Sequence, residues 1–451
     1  MPRCVALVVS FVAGLVLFHA IVLAADPPRP NIVLIMADDL GYGDVGWHGS
    51  PYKTPHLDQL ARAGVRLEQH YSLPVCSPTR SALLSGRFNS RFGCTNPVNQ
   101  RVYPLETVTL AAALQSVGYE TALIGKWHLG SKPEWGPQHF GFDHSYGSLA
   151  GGVTSYSHVY KTGEFSQTWH RNGQWITEDG HVTDLLTREA VQFIEKKRAE
   201  PFFLYVPYTA VHLPIDEPRE WLDKYAGEPD PGVRQYGACV SHLDDGVGKI
   251  VAALDRAGVR QHTILVFLSD NGGSTGTQNY DPQYRGTHPS FSIPARNGLL
   301  RGKKGQVYEG GIRTPALVSW PGKLPARDEL SPIHVADWFP TFATLAGYRP
   351  PRDLKWDGSD RWPTLIGAAK PADRVLYWLG PGGNSHALRQ GNFVLIGHKG
   401  KADELYDLAA DPSQKQDLAS ERPAVVQQLN EALRRVRQSD NDAKVGMASG
   451  S

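Results

Sequence analysis

The 451-residue sequence predicts an α/β fold with a large, mostly parallel β-sheet between helices and a smaller α+β unit at the C-terminal end. Three observations predict it. Short, wholly apolar runs alternate with helical stretches, as in parallel sheets whose strands are buried on both faces. Beyond Pro350 the sequence pattern changes to short runs that predict antiparallel strands, followed by one helix. A hydrophobic content of 41% suffices for a large core.

The N-terminal segment has the pattern of a secretory signal peptide. Arg3 precedes an apolar run from Val5 to Ala25, small residues close that run, and the proline-rich segment 26–30 ends it. We therefore expect residues 1–25 to be removed, with no membrane association afterwards. The run is also long enough to span a bilayer, so an uncleaved membrane anchor is the alternative. The absence of an N-x-S/T sequon favours a bacterial periplasmic or secreted protein.

The main domain, residues 26–350, contains the predicted sheet. Its strands are predicted at 32–37, 121–125, 202–206 and 263–268, each a short apolar run. The apolar period predicts helices at 54–64, 110–117, 184–198 and 236–257, and glycines at 64 and 118 can end the first two. The net charge of +1 gives no indication of nucleic acid or an anionic membrane as a partner.

Residues 274–297 are polar, carry glycine and proline, and show no period. A solvated loop is one interpretation. The other is a lid or substrate wall, with Tyr280, Tyr284, Arg285 and His288 as candidate contacts.

The C-terminal subdomain and tail are predicted to occupy residues 351–451. Short antiparallel strands are expected at 374–379, 385–389 and 392–398, followed by a closing helix at 422–437.

Polar side chains follow each of the four predicted strands of the main domain. Open α/β sheets bind ligands outside the carboxyl ends of their strands, so we expect these side chains to meet at one rim. In chain order they are Asp38 and Asp39, Lys126 and His128, His212, and Asp270 and Asn271.

The acidic residues at this rim predict a metal site. Asp38 and Asp39 directly follow a buried strand, where adjacent carboxylates repel each other and need a cation. Asp270 and Asn271 supply further oxygen ligands, and an all-oxygen set indicates a hard divalent ion, Ca²⁺ rather than Mg²⁺. The alternative for each aspartate is an ordinary turn or cap role.

Cys76-Ser77-Pro78-Thr79-Arg80, with its continuation to Arg87, resembles the C-x-P-x-R signature of the sulfatases. Further segments resemble that family's motifs in the expected order, and together they extend over nearly the whole mature chain. These segments are 30–46, 125–130, 210–214, 269–273, 301–313 and 404–412. The resemblance implies an alkaline-phosphatase-like fold. It also implies hydrolysis of sulfate esters and oxidation of Cys76 to formylglycine by a formylglycine-generating maturation enzyme.

The resemblance also implies a role for each residue of the rim. The hydrated formylglycine would be the nucleophile that accepts the sulfuryl group, forming a sulfo-enzyme intermediate, with Asp270 as its base and Arg80 orienting it. Lys126, His212 and Lys304 would surround the sulfate, with His212 protonating the leaving oxygen. His128 would take the proton that lets the aldehyde re-form. The metal ligands implied are Asp38, Asp39, Asp270, Asn271 and the modified Cys76.

Within the family, residues 155–173 and the short C-terminal unit are most similar to the N-acetylgalactosamine-4-sulfatase (arylsulfatase B) branch. The implied substrate is a sulfated carbohydrate or an aryl sulfate. A phosphodiester or phosphonate monoester hydrolase of the same superfamily is one alternative, and a catalytically silent glycan-binding protein is another. Whether Cys94 and Cys239 form a disulfide stays open.

Overall fold

The computed structural model describes residues 29–370 and 373–446. The predicted signal peptide, residues 1–25, lies outside the described residues and stays a prediction. Within the described ranges, no helix combines the length and the apolar character needed to cross a membrane.

A ten-stranded sheet forms the centre of the fold, and its middle strands are parallel, as predicted. β1 (Asn31–Ala37) lies between β8 (Phe202–Pro207) and β9 (Thr263–Ser269) and pairs with both in parallel. The full order is β11-β2-β10-β9-β1-β8-β4-β5-β6-β7. The other strands are β2 (Val65–Leu67), β4 (Glu120–Lys126), β5 (His144–Ser148), β6 (Trp169–Arg171), β7 (Gln174–Trp175), β10 (Ala316–Ser319) and β11 (Arg327–Glu329).

Helices cover both faces of this sheet, which explains why its central strands carry apolar side chains on both sides. Ile32 and Leu34 of β1 point into one core with α2, α3 and α8, whereas Val33 and Ile35 point into the other with α1, α4 and α6. The helices are α1 (Pro55–Ala63), α2 (Cys76–Ser85), α3 (Leu110–Ser116), α4 (Val182–Glu195), α5 (Arg219–Leu222), α6 (Pro231–Arg256), α7 (Glu309–Ile312), α8 (Trp338–Ala346), α9 (Trp362–Leu365) and α10 (Pro423–Arg437).

The predicted elements of the main domain are all present, with shifted ends. α6 begins five residues before the predicted start because Asp230 caps it: its Oδ1 accepts hydrogen bonds from the backbone N–H of Gly232 and Val233, at 2.7 and 3.3 Å. Gly64 follows α1 but has an extended backbone, with φ −125°. A Cβ there would lie 2.3 Å from the carbonyl oxygen of Val318, so close packing rather than a left-handed cap requires glycine.

The C-terminal unit contains a four-stranded antiparallel sheet closed by α10. Its order is β13-β14-β15-β16, and the sequence predicted its first three strands and the helix but not β16. The boundary proposed at residue 350 lies between α8 and α9, in a stretch without helix or strand. These strands are β13 (Val375–Leu379), β14 (Ser385–Gln390), β15 (Phe393–His398) and β16 (Glu404–Asp407), and β3 (His70–Tyr71) pairs with β12 (Ile333–His334) in a separate ladder.

The cysteines in the described residues are free thiols. Cys94 lies in the core on one face of the main sheet and Cys239 in the core on the other. A disulfide requires Cα atoms about 4.4–6.8 Å apart, so two cysteines separated by the sheet do not pair.

Candidate active site

The rim predicted from the strand ends is present and is held together by backbone hydrogen bonds. Asp38 N–H donates to the carbonyl of Ala210 at 2.9 Å, and Asp270 N–H donates to the carbonyl of Ala37 at 3.1 Å. These bonds continue the pairing of β1 with β8 and β9 beyond the strands themselves. Asp39 has a left-handed backbone, with φ 65°, which turns the chain away from the sheet and leaves its side chain at the rim.

Cys76 is the first residue of α2 and is almost fully buried, at 2% exposure. A helix N-terminus carries unpaired N–H groups and a partial positive charge, so it favours negative charge that develops on a group placed there. The apolar pattern of the sequence did not predict this helix. Two signals were available: Pro78, which the first turn of a helix tolerates, and Gly86, which ends α2 in a left-handed conformation.

Asp38 and Arg80 are completely buried at the centre of the site. Oδ2 of Asp38 accepts hydrogen bonds from Nζ of Lys126 and, at 3.5 Å, from Nη2 of Arg80. Nη2 of Arg80 also donates to Oδ2 of Asp270 at 2.8 Å, and its Nη1 donates to the carbonyl of Lys126 at 2.7 Å. Arg80 is therefore a fixed link between two carboxylates and the end of β4.

Asp39 forms the second acidic position and is paired with Lys304. Nζ of Lys304 lies 2.7 Å from Oδ2 of Asp39. Nδ2 of Asn271 donates a hydrogen bond to Oδ1 of Asp39 at 2.7 Å. Burial acts to raise the pKa of Asp39, but Lys304 and His212 outweigh it and hold the pKa below its ordinary value. Lys303, by contrast, donates to the carbonyl of Thr275 at 2.8 Å. Of these two lysines, Lys304 is the one that pairs with an acidic residue of the rim.

Asp270 differs from Asp39 in the direction of its pKa shift. Burial and the neighbouring charge of Asp38 raise the pKa of Asp270 to about 6, although Arg80 acts in the opposite direction. A carboxyl group with such a pKa can exchange a proton near neutral pH. This property suits a group that takes a proton from a nucleophile.

The two histidines of the site are neutral in this structure. Burial and the ammonium groups lower the pKa of His212 to about 3 and that of His128 well below its ordinary value. Nδ1 of His212 lies 2.6 Å from the carbonyl of Leu213, so it carries the proton. Nε2 faces Oδ2 of Asp39 at 3.9 Å. The lone pair of the His212 ring is therefore on the side of the active site.

The donor set fits a divalent cation. Oδ1 of Asp38 and Oδ1 of Asn271 are buried and have no hydrogen-bond partner among the described residues. Carboxylate or amide oxygens left unpaired in the interior cost about 1–3 kcal/mol each unless a ligand satisfies them. Asp38, Asp39 and His212 also lie close enough together to share one ion. Oxygen atoms predominate, which is the preference of Ca²⁺ and Mg²⁺.

Gly151 and Gly152 form a wall of the site beside His128 and His212. The sequence alone gave no signal for these two glycines. A Cβ on Gly151 would lie 2.5 Å from Nε2 of His128. A Cβ on Gly152 would lie 2.7 Å from the hydroxyl of Tyr284 and 3.4 Å from Nδ1 of His212. A side chain at Gly151 would displace His128, and one at Gly152 would displace Tyr284, so the wall requires glycine.

The loop candidates separate into one residue at the site and three away from it. Tyr284 is buried, at 4% exposure, whereas Tyr280 is 52% exposed and Arg285 is also exposed. His288 bonds within its own loop, with Nε2 3.0 Å from the carbonyl of Arg285. Tyr284 is therefore the one of these four that is buried, and its hydroxyl lies beside Gly152 and His212.

Together, the fold and the site define a hydrolase of anionic esters. Three features meet at the carboxyl ends of the parallel strands. They are carboxylates that can hold a cation, buried cationic side chains, and a cysteine at a helix N-terminus. The site also holds two neutral histidines and a carboxyl with a raised pKa, which are side chains that can exchange protons.

The chain belongs to the sulfatase family, because the sulfatase family model matches residues 30–348. It is thus a sulfuric ester hydrolase by family. Arylsulfatase J of Mus musculus is 32% identical over 93% of this chain and 77% of its own length. N-acetylgalactosamine-6-sulfatase of Mus musculus is 34% identical over 79% of this chain and 70% of its own length. The solved structure of Ps i-CgsB with k-i-k-neocarrahexaose has a TM-score of 0.83 and 30% identity, covering 93% of this chain and 96% of that one.

Proposed function

We propose that this chain hydrolyses the sulfate ester of a carbohydrate, with formylglycine at position 76 and one Ca²⁺ ion at the rim. The observation that carries the proposal is the position of Cys76. Its side chain starts from a helix N-terminus, and the charges of Lys126, Lys304, Asp38 and Asp270 all act on its pKa. A nucleophile placed there would meet the sulfate between cationic side chains and next to the cation ligands.

The charge of the site supports an anionic monoester as substrate. With a divalent ion bound, positive charge from the ion and from Arg80, Lys126 and Lys304 outweighs the carboxylates of Asp38, Asp39 and Asp270. An excess of buried positive charge stabilises an anion and the charge that develops as the S–O bond breaks. Asp38, Asp39, Asp270, Asn271 and residue 76 would hold the ion.

The modified residue and the ion supply the reactive centre. Formylglycine offers a hydrated aldehyde whose hydroxyl can accept a sulfuryl group, and Ca²⁺ stabilises negative charge beside it. Asp270, whose Oδ2 accepts a hydrogen bond from Arg80 at 2.8 Å, would accept the proton from the nucleophile. Arg80, fixed by Asp38, Asp270 and the carbonyl of Lys126, is suited to orient it.

The histidines take opposite roles in this proposal. His212 has to gain a proton on Nε2 before it can protonate the leaving oxygen, and the negative charge of a bound sulfate raises the pKa of a nearby imidazole. His128 is neutral because its pKa is lowered, and it would take the second proton once negative charge on the sulfated residue raises that pKa. Lys126 and Lys304 would turn from their carboxylates towards the sulfate oxygens.

A carbohydrate is the substrate class that the relatives support. N-acetylgalactosamine-6-sulfatase is named for an amino sugar, and Ps i-CgsB was solved with a neocarrahexaose. Residues 155–173 predict the 4-sulfate of N-acetylgalactosamine as the group removed. One of the similar proteins is instead named as a 6-sulfatase. We therefore propose the class of substrate and treat the sulfate position as an outcome of the test. We propose a periplasmic or secreted location, because the N-terminal sequence has the pattern of a signal peptide.

The test measures release of inorganic sulfate by ion chromatography, using protein produced together with a formylglycine-generating enzyme. The substrates are N-acetylgalactosamine 4-sulfate, N-acetylgalactosamine 6-sulfate, ι-carrageenan oligosaccharides and 4-nitrophenyl sulfate. Cys76→Ala is the control, which we expect to fold with an unchanged melting temperature and to lose turnover. Turnover by Cys76→Ala would contradict the proposed nucleophile. Faster cleavage of bis(4-nitrophenyl) phosphate than of every sulfate would support the phosphodiesterase alternative. Binding without turnover would support the silent glycan-binding alternative.

A further inference from the structure

The segment 274–297 is an anchored hairpin. Within it, Asn279 N–H donates to the carbonyl of Phe291 at 2.9 Å. The completely buried side chain of Asn279 reaches to Ile215, three residues after His212. Its Oδ1 accepts from the backbone N–H of Ile215 at 2.7 Å, and its Nδ2 donates to the carbonyl at 2.9 Å. The hairpin is thereby fixed to the chain segment that carries His212.

A second segment fastens the tip of this hairpin. Nζ of Lys161 lies 2.6 Å from Oδ2 of Asp281, and Thr162 N–H donates to the carbonyl of Gln283 at 2.8 Å. The ring of Tyr284 packs edge-on against that of Tyr160, with centroids 5.9 Å apart. Both backbone and side chain of Tyr284 are thus held in one position, which a residue needs in order to select a substrate.

The hydroxyl of Tyr284 has no partner among the described residues although it is buried. A Cβ on Gly152 would lie 2.7 Å from this hydroxyl and 3.4 Å from Nδ1 of His212, so both side chains lie beside that glycine. His212 does not satisfy it, since Nδ1 of His212 is already bonded to Leu213. Burial raises the pKa of Tyr284 well above its ordinary value, so the hydroxyl keeps its proton and can donate. An unpaired buried hydroxyl of this kind is destabilising unless a ligand pairs with it.

We propose that Tyr284 is a specificity-determining residue that hydrogen-bonds a hydroxyl group of the substrate's alcohol portion. This inference rests on the proposed function, in which His212 protonates the leaving oxygen. The part of the substrate next to His212 is then the leaving alcohol, while the sulfate lies with Lys126 and Lys304. A neutral hydroxyl donor matches a neutral sugar hydroxyl beside the ester. It offers nothing to an aryl leaving group without such a neighbour.

The test compares Tyr284→Phe with Tyr280→Phe on two substrates. Tyr280 is the matched control because it lies in the same hairpin with its side chain exposed. The substrates are 4-nitrophenyl sulfate and whichever N-acetylgalactosamine sulfate the wild-type protein cleaves faster, or the ι-carrageenan oligosaccharide if it cleaves neither. Loss of one neutral hydrogen bond, about 0.5–1.5 kcal/mol, corresponds to roughly 3–10-fold. We expect Tyr284→Phe to lower kcat/KM by that factor for the saccharide, mainly through KM. We expect its effect on 4-nitrophenyl sulfate to stay below about 2-fold.

Equal losses on both substrates would overturn the proposal, because they would indicate a general effect on the site. An unchanged kcat/KM for the saccharide would overturn it as well. A loss of the same size in Tyr280→Phe would assign the effect to the hairpin as a whole and contradict a role for the Tyr284 hydroxyl. Wild-type protein without sulfatase activity on any substrate would instead remove the proposed function, and this inference with it.

Discussion

Asp38 in the active site and Asp337 at the start of α8 are both completely buried aspartates, yet their surroundings differ. Asp337 has donors on both oxygens: its Oδ1 accepts from Ser359 N–H at 2.8 Å and from Nη1 of Arg374 at 2.7 Å. Its Oδ2 accepts from Arg361, from Arg374 and from a backbone N–H. Asp38 has donors on Oδ2 only, and its Oδ1 has no partner among the described residues.

This difference separates a structural carboxylate from a functional one. A carboxylate whose oxygens are all paired contributes to stability, because removing it leaves buried guanidinium groups without a counter-charge. A carboxylate with a free buried oxygen is destabilising by itself and is explained by a ligand that completes it. Substitutions at the two positions should therefore affect different measured quantities.

The largest effect is expected for Asp38→Asn. We expect kcat to fall about 10³-fold, roughly 4 kcal/mol of transition-state stabilisation, because the substitution removes one charged cation ligand. The free energy of unfolding without calcium should change by less than in Asp337→Asn, because the lost pairing with buried Lys126 and Arg80 is offset by lost repulsion from Asp270. Sulfate release and chemical denaturation measure the two quantities. Normal turnover would show that Oδ1 of Asp38 binds no catalytic ion.

Asp337→Asn should show the reverse pattern. We expect the free energy of unfolding to fall by about 3 kcal/mol, since Arg361 and Arg374 lose a buried counter-charge. The kcat per folded molecule should not change. Denaturation followed by fluorescence, together with activity normalised to the folded fraction, measures both effects. A loss of kcat equal to that of Asp38→Asn would remove the distinction between the two aspartates.

Calcium should discriminate between the two variants. At a calcium concentration 100 times Kd, binding to the folded state alone stabilises the wild-type protein by about 2.7 kcal/mol. We expect Asp337→Asn to retain this increment and Asp38→Asn to lose most of it. Thermal unfolding with calcium and with EGTA measures the increment. A full increment in Asp38→Asn would place the ion elsewhere.

The smallest effect is a pH dependence at another structural cluster. Nδ1 of His242 lies 2.8 Å from Glu217, and its Nε2 lies 3.2 Å from Asp184. Burial acts to lower the pKa of His242, but these carboxylates outweigh it and raise the pKa to about 9. The folded pKa exceeds the ordinary value of 6.5. The stability gained is therefore complete below pH 6.5 and is lost as the pH rises through about 9.

We expect His242→Gln to destabilise the protein by about 2 kcal/mol at pH 6, and by much less at pH 10. Urea denaturation at both pH values provides the measurement. A difference that does not change with pH would indicate that packing against Trp221, whose ring stacks on His242 with centroids 4.6 Å apart, carries the effect.

The parts of this molecule that could be predicted from sequence are those with a local signal. The apolar run at 32–37 identifies β1, and Asp38 and Asp39 follow it, so the rim could be derived without tertiary information. α2 was missed because the segment from Cys76 to Ser85 is buried all round and has no apolar period. β16 was missed because its strand is only four residues long.

The remaining features depend on contacts between distant segments. Nothing in the segment 274–297 distinguishes Tyr284 from Tyr280; the distinction arises from Tyr160 and Lys161, more than a hundred residues away. Gly151 and Gly152 likewise acquire their meaning only from the histidines packed against them. The pairing of Lys304 with Asp39 is also a long-range property, since 265 residues separate them along the chain.

The central claim is that Cys76 becomes the reactive group at this rim. The most direct test is the mass of the proteolytic peptide that spans Cys76, taken from protein produced together with a formylglycine-generating enzyme. We predict a peptide in which an aldehyde oxygen replaces the thiol sulfur. We also predict that the sulfate-releasing activity is proportional to the fraction of protein converted. An unmodified thiol in protein that is nevertheless fully active would contradict it.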